Sequence, residues 1–174
     1  MNALFFPYLP RNPYQPNLAK ALEEKGVSVT GVKDISLRSF LASVKGQDIL
    51  HLHWTHPYLL AAKVFPTIRK SFCFFLVLVF QKVKGKKLIW TIHNLGEHEK
   101  RHPLFELYCH KFLAWLADGI IVHSQYARKK VIDVYRLGHQ TDKIAVIPHG
   151  HYIDNYPNQI TPTQARDKLG IEAD

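Results

Sequence analysis

Leu88-Ile89-Trp90-Thr91-Ile92-His93, and further on Gly119-Ile120-Ile121-Val122-His123, are the two runs that decide the fold class. Both are nearly continuous apolar segments, and both end in a histidine followed by a small polar residue, Asn94 and Ser124. Runs of this kind suit strands covered on both faces, as in parallel sheets. Between them, Leu104–Ala117 has the length and apolar spacing of a helix and closes near Asp118-Gly119. Strand, helix and strand at this spacing form the crossover unit that joins parallel neighbours.

Working outward, the same alternation continues in both directions. Upstream, Ala3–Phe6 is a short apolar strand stopped by Pro7 and Pro10, and Leu18–Lys25 fits a helix ended by Gly26. Val27–Val32 is a β-branched strand, Ser36–Val44 has helical spacing, and Asp48–Trp54 is a third strand. A long helical stretch from Tyr58 to about Lys84 is expected to break at Pro66. Downstream, Tyr126–Tyr135 is a helix and Lys143–Ile147 a sixth strand stopped by Pro148. Thr161-Pro162-Thr163-Gln164 reads as a capped helix start, with Thr161 as N-cap and Gln164 closing a capping box, and Leu169-Gly170 ends that helix. The chain therefore predicts an α/β fold: a doubly wound, mostly parallel, Rossmann-like sheet with helices on both faces. Residues 1–160 form the expected domain, and 161–174 a terminal helix and the start of a linker.

Composition narrows the function classes. An apolar share of 47% over 174 residues excludes a disordered chain and allows a substantial core. Met1–Phe6 lacks the basic start and the length of a leader peptide. Cys73 and Cys109 form no CxxC pair, which argues against a disulfide framework or zinc knuckle and suits a reducing cytoplasm. Cys109, on a helix, reads as a small buried apolar residue. No GxGxxG follows any strand, which removes a nicotinamide-dependent oxidoreductase. The net charge of +9 suits an anionic ligand or surface.

In such sheets ligands bind beyond the carboxyl ends of the strands. Those ends read His51-Leu52-His53-Trp54-Thr55-His56, Thr91-Ile92-His93-Asn94, His123-Ser124 and Pro148-His149-Gly150-His151, while the first strand delivers Arg11-Asn12-Pro13-Tyr14-Gln15. Neutral imidazole both donates and accepts hydrogen bonds, as sugar hydroxyls do. Trp54 and Tyr14 can offer apolar faces to a sugar ring, and Asn12, Gln15 and Asn94 can fix hydroxyls. His51 reads as a hydrogen-bonded core histidine, whereas His93, at a strand terminus, reads as a site residue. The carboxylates of Glu97-His98-Glu99 can orient an acceptor hydroxyl or act as a general base.

The ordered set Trp90-Thr91-Ile92-His93-Asn94-Leu95, Glu97-His98-Glu99, Ile121-Val122-His123-Ser124 and Val146-Ile147-Pro148-His149-Gly150-His151-Tyr152 resembles the N-terminal domain of GT-B glycosyltransferases. The likeness is to glycosyltransferase family 4 and its bacterial exopolysaccharide-type members, and the Arg11–Tyr14 loop shares it. The resemblance implies the acceptor-side half of a two-domain enzyme. Such an enzyme moves a hexose from a nucleotide sugar to a lipid-linked or saccharide acceptor, with retention and without a metal or other cofactor. His93 is the implied catalytic residue, near the transferred sugar. Asn12, Tyr14, Gln15, Trp54, His56, Asn94, Glu97, His98 and Glu99 are the candidate acceptor-binding residues, and Ser124, His149 and Gly150 face the donor side of the cleft. Many family members carry a glycine-rich turn after the first strand; here that turn is rich in Pro and Asn. The acidic donor-binding motif does not occur in these 174 residues, so the chain is expected to be inactive without a C-terminal donor domain or partner chain.

Phe72–Phe80 is nine apolar residues, too few to span a bilayer, flanked by Arg69 and Lys70 and by Lys82, Lys84, Lys86 and Lys87. A peripheral position on the inner face of the plasma membrane is the corresponding expectation, against a plain buried helix. Two other classes compete. Strand-end histidines suit a metal-dependent hydrolase, though HExxH is missing and aspartates are few. The charge suits a nucleic-acid-binding module, but the lysines gather beside the apolar helix instead of along an aromatic sheet face, so no nucleic acid is expected.

Overall fold

A computed structural model describes residues 1–34, 36–96, 101–153, 155–157 and 159–171. Six strands form one sheet: β1 (Asn2–Phe6), β2 (Ser28–Gly31), β3 (Ile49–Leu52), β4 (Lys87–Thr91), β5 (Gly119–Val122) and β6 (Ile144–Val146). They lie in the order β2-β1-β3-β4-β5-β6, every pair parallel. The order reverses between β1 and β3, which is where such sheets open a ligand crevice.

The helices are α1 (Tyr14–Glu23), α2 (Leu37–Ser43), α3 (His56–Leu59), α4 (Val64–Val83), α5 (Pro103–Leu116), α6 (Gln125–Tyr135) and α7 (Pro162–Leu169). The long helical stretch breaks at residues 60–63, ahead of the expected proline. Pro66 instead lies in the first turn of α4, where its missing N–H leaves no helical bond unmade. α7 is capped as the sequence predicts: Thr161 accepts from the Gln164 N–H, Gln164 reaches back to the Thr161 N–H, and Gly170 closes the helix in the left-handed region.

Register makes one face of the sheet the core. Phe6, Leu52, Trp90, Ile120 and Ile144 are lateral neighbours across five strands, and all are buried. Phe40 of α2, Phe74 and Leu78 of α4, Leu113 of α5, and Val131 and Tyr135 of α6 pack onto that row. Each fully buried large side chain contributes about 1.5–3 kcal/mol.

The other face is covered unevenly. Only the step from β1 to β2 moves in the opposite direction across the sheet, so right-handed crossovers put α1 alone on this face and α2, α4, α5 and α6 on the core face. Phe5 and His51 are buried here, but Ile89 and Ile121 are half-exposed. The apolar runs of β4 and β5 are therefore shielded on one face and only partly on the other. At the edge, Gly31 admits the ring of Tyr8, whose Cγ would lie 2.4 Å from a Cβ at that position.

Candidate functional site

The turn after β1 sets the site. The spacing predicts a helix from Leu18, but α1 begins at Tyr14. Pro13 precedes it and Pro16 sits in its first turn, where backbone donors are unpaired anyway. Asn12 Oδ1 accepts from the Tyr14 N–H at 3.0 Å. Gln15 is fully buried: its Oε1 accepts from the Leu9 N–H and its Nε2 donates to the Pro7 carbonyl, both at 2.7 Å. Gln15 therefore clamps the turn and has no free amide for a ligand, which corrects the expectation from sequence. The clamp aims Tyr14 across the ends of the neighbouring strands.

There the ring of Tyr14 meets His93 at 5.0 Å, His123 at 5.2 Å and His149 at 5.0 Å between centroids. The histidines continue one another: His53 to His93 at 5.6 Å, His93 to His123 at 5.4 Å, and His123 to His149 at 5.2 Å. Each comes from the carboxyl end of a different strand, so the parallel register assembles the row. Trp54 lies flat against His93, with centroids 4.2 Å apart and an 11° interplanar angle. His93 thus occupies one face of the indole that the sequence reading assigns to a sugar, and Trp54 fixes the plane of the His93 ring.

Protonation follows from burial. His93 is pushed down to about 4, first by burial and then by the neighbouring His123 and His149. His51 is pushed down to about 3 by burial and by His93; its Nε2 lies 2.8 Å from Thr91 Oγ1, in keeping with a core histidine. His53 is held well below the usual range by burial and then by His51, His93 and His123. Burial also raises the Tyr14 phenol. The imidazoles of His51, His53 and His93 are neutral near pH 7, each with one donor and one acceptor nitrogen.

The tautomers can be partly assigned. His123 Nδ1 is 2.9 Å from the Ile147 carbonyl, which only accepts, so Nδ1 carries the proton. His123 Nε2 is buried without a hydrogen-bond partner among the described residues. His53 Nε2 is likewise unpartnered, while its Nδ1 lies 3.4 Å from His93 Nε2. His149 Nδ1 donates to the Gly150 carbonyl at 2.8 Å, and its Nε2 accepts from the Tyr152 hydroxyl at 3.0 Å. Beside them a cavity of about 190 Å³ is lined by Tyr14, Asn17, Leu18, Ile147, Pro148, Gly150 and Tyr152. Tyr14, Asn17 and Tyr152 give that space side-chain groups able to hydrogen-bond a polyhydroxylated ligand.

Not every candidate joins this rim. His56 belongs to a second cluster on the core side: its Nδ1 is 2.9 Å from Glu106 Oε1, and its ring meets His110 edge-on at 5.6 Å. His110 is buried, pushed down to about 3 by burial and then by His56, and its Nε2 lies 3.2 Å from Thr55 Oγ1. The Ser124 hydroxyl accepts from the Ala127 N–H and is the N-cap of α6. Asn94 is half-buried after β4. Glu97, His98 and Glu99 lie outside the described residues. His123, His53 and Tyr152 join the rim although the sequence reading does not select them as binding residues. For His123 the signal was present, since it ends β5 as His93 follows β4.

The rim histidines are stacked side by side, and among the described residues the donor atoms that converge in the manner of metal ligands belong to His56, Glu106 and His110, all within 4.8 Å. Glu106 Oε1 is already hydrogen-bonded to His56 there, while His110 Nδ1, 3.9 Å from the same oxygen, is buried without a hydrogen-bond partner among the described residues.

The family model for Glycosyltransferase Family 4 matches residues 33–154, spanning β3 to β6 and their strand-end histidines. This chain belongs to Glycosyltransferase Family 4. It is 33% identical over 90 residues to the GDP-mannose:glycolipid 4-beta-D-mannosyltransferase of Xanthomonas campestris pv. campestris, a match covering 52% of this chain and 24% of the relative. The same enzyme from a second Xanthomonas campestris strain matches equally. The structure of Anabaena HepE, solved with UDP and glucose, superposes with a TM-score of 0.53 at 16% identity, covering 98% of this chain and 50% of HepE. This likeness shows the fold. The Family 4 chain described here spans about a quarter of the curated relatives and half of the structural neighbour.

Proposed function

We propose that this chain is the acceptor-side half of a hexosyltransferase. Together with a C-terminal donor-binding domain or partner chain, it moves a hexose from a nucleotide sugar to a lipid-linked or saccharide acceptor, without a metal. The observation that carries this reading is the convergence of Tyr14, His93, His123 and His149, from four different segments, on one crevice. The Xanthomonas relative is named for GDP-mannose and a glycolipid, and HepE was solved with a nucleotide and a hexose. Both support this substrate class.

In this reading His93, held in plane by Trp54, hydrogen-bonds the transferred sugar and is the catalytic residue. Tyr14, Asn17 and Tyr152, which line the cavity, hydrogen-bond ligand hydroxyls. Asn12 acts through Tyr14, whose backbone it holds. Gly150 lines the cavity on the donor side, and His149 precedes it in the chain. The reaction occurs in the cytoplasm, where nucleotide sugars are substrates.

The test is transfer of radiolabelled hexose from a panel of GDP- and UDP-sugars into lipid extract. The chain is assayed alone and combined with the polypeptide encoded next to it. Transfer only in the combination is expected, and His93→Ala should lower it about 100-fold, the scale of one transition-state hydrogen-bonding group. Full activity of His93→Ala, or of the chain alone, would overturn the assignment.

A further inference from the structure

α4 presents two different faces. Phe74 and Leu78 pack into the core, and the buried Thr67 and Ser71 hydroxyls donate to the Lys63 and Leu59 carbonyls. The opposite stripe carries Phe65, Phe72 and Phe80, which are 76%, 66% and 53% exposed. Neighbouring α5 repeats the arrangement with Leu104, Tyr108 and Trp115, at 72%, 67% and 59%. Phe75 meets Phe112 edge-on at 4.9 Å and joins the two helices, so the stripes form one continuous surface. Single exposed apolar residues are ordinary, whereas a contiguous aromatic field of this kind marks an interaction surface.

The charge around the field identifies the occupant. From Ile49 to Gly96 the sequence contains Lys63, Arg69, Lys70, Lys82, Lys84, Lys86 and Lys87, and no aspartate or glutamate. Lys63, Arg69 and Lys84 have no ion-pair partner among the described residues. The Lys84 ammonium sits 4.3 Å over the Phe80 ring and that of Lys111 5.5 Å from the Tyr108 ring. Cations at the margin of an aromatic field match an anionic lipid surface, where rings enter the headgroup boundary and lysines remain at the phosphates. A second copy of the chain would bring the same cationic margin against itself. α4 is long and apolar enough to cross a bilayer, but its polar groups fastened to the protein keep it on the sheet.

We propose that the outer faces of α4 and α5 dock this protein on an anionic bilayer, lying in the interface without crossing it. Both helices start beside the carboxyl edge of the sheet, so Phe65 and Leu104 lie at the end nearest the histidine rim. The docked orientation then brings the crevice close to the headgroups, as a lipid-linked acceptor requires. That last step rests on the proposed function, whereas the docking itself does not.

The experiment is co-flotation of the 174-residue chain with vesicles of phosphatidylcholine containing about 30% phosphatidylglycerol, against phosphatidylcholine alone. Binding to the anionic vesicles at least about tenfold stronger is expected, weakening in high salt. Phe72→Asp with Trp115→Asp should reduce it more than about tenfold, while Leu169→Asp, an exposed apolar position on α7, leaves it unchanged. Arg69→Glu with Lys84→Glu, which leaves the aromatic field in place, should abolish the preference for anionic lipid. No binding to anionic vesicles, or equal binding by all variants with wild-type melting, would overturn the proposal. So would a dimer in sedimentation that Phe72→Asp dissociates without vesicle binding. Loss of transfer with vesicle binding intact strikes only the sugar-transfer reading.

Discussion

At the rim, polar side chains are buried; on the outer faces of α4 and α5, apolar side chains are exposed. His53 is 2% exposed, and its Nε2 has no partner among the described residues. Phe65 is 76% exposed, and most of α4 faces outward. Stability alone favours the opposite placement in both regions, since an unpaired buried nitrogen and a bare aromatic surface are each unfavourable. The difference lies in what each region can accept: discrete hydrogen bonds at the rim, apolar area with cations at the helices.

The comparison is sharpest within α4, where two phenylalanines two positions apart belong to different surfaces. Phe74→Ala should cost about 3–5 kcal/mol in urea unfolding, because it leaves a cavity in the core. Phe72→Ala should stay within about 0.5 kcal/mol, because it removes only exposed area. Equal costs would break the division of the helix into two faces.

Acid should act on the buried histidines, at the rim and beneath α5, and not on the exposed stripes of α4 and α5. His51, His53, His93 and His110 have folded pKa values below the unfolded value of about 6.5. The unfolded chain therefore binds more protons in this range, and stability falls as pH drops from about 6.5 towards 4 for His93 and lower for His51 and His110. Thermal melting between pH 7 and pH 5 should lose about 10 °C. A flat profile would mean that the histidines are not buried as neutral rings.

Tyr14→Phe removes a half-buried phenol hydroxyl and keeps the ring that meets His93, His123 and His149. About 1 kcal/mol is expected, read from chemical denaturation. The smallest effect concerns α7, which buries none of its residues. Thr161→Ala should speed amide exchange across residues 162–169 about fivefold, the loss of one cap, and leave the global melt unchanged.

Much of the fold was legible because its signals are local. Gly26 stops α1, Ser36 caps α2, and Thr161 with Gln164 caps α7, each through groups a few residues apart. What misled was proline. Pro13 and Pro16 read as loop yet fall at the start of α1, and Pro66 reads as a break yet opens α4, because a first turn tolerates a missing N–H. The site was legible as a list of strand ends, but not as a selection from that list.

The sequence by itself determined the parallel α/β class, the delivery of His53, His93, His123 and His149 to one edge, and the basic, acid-free stretch around α4. Those properties follow from apolar runs, from the period of the elements and from composition, which need no knowledge of distant contacts. Only the tertiary structure decided that Gln15 clamps a turn, that His56 pairs with Glu106 on the other side of the sheet, and that Trp54 backs His93. It also decided which phenylalanines of α4 face the core. Direction and burial are set by packing between elements far apart in the chain, and the same residue type is clamp or ligand, core or surface, according to what lies opposite it.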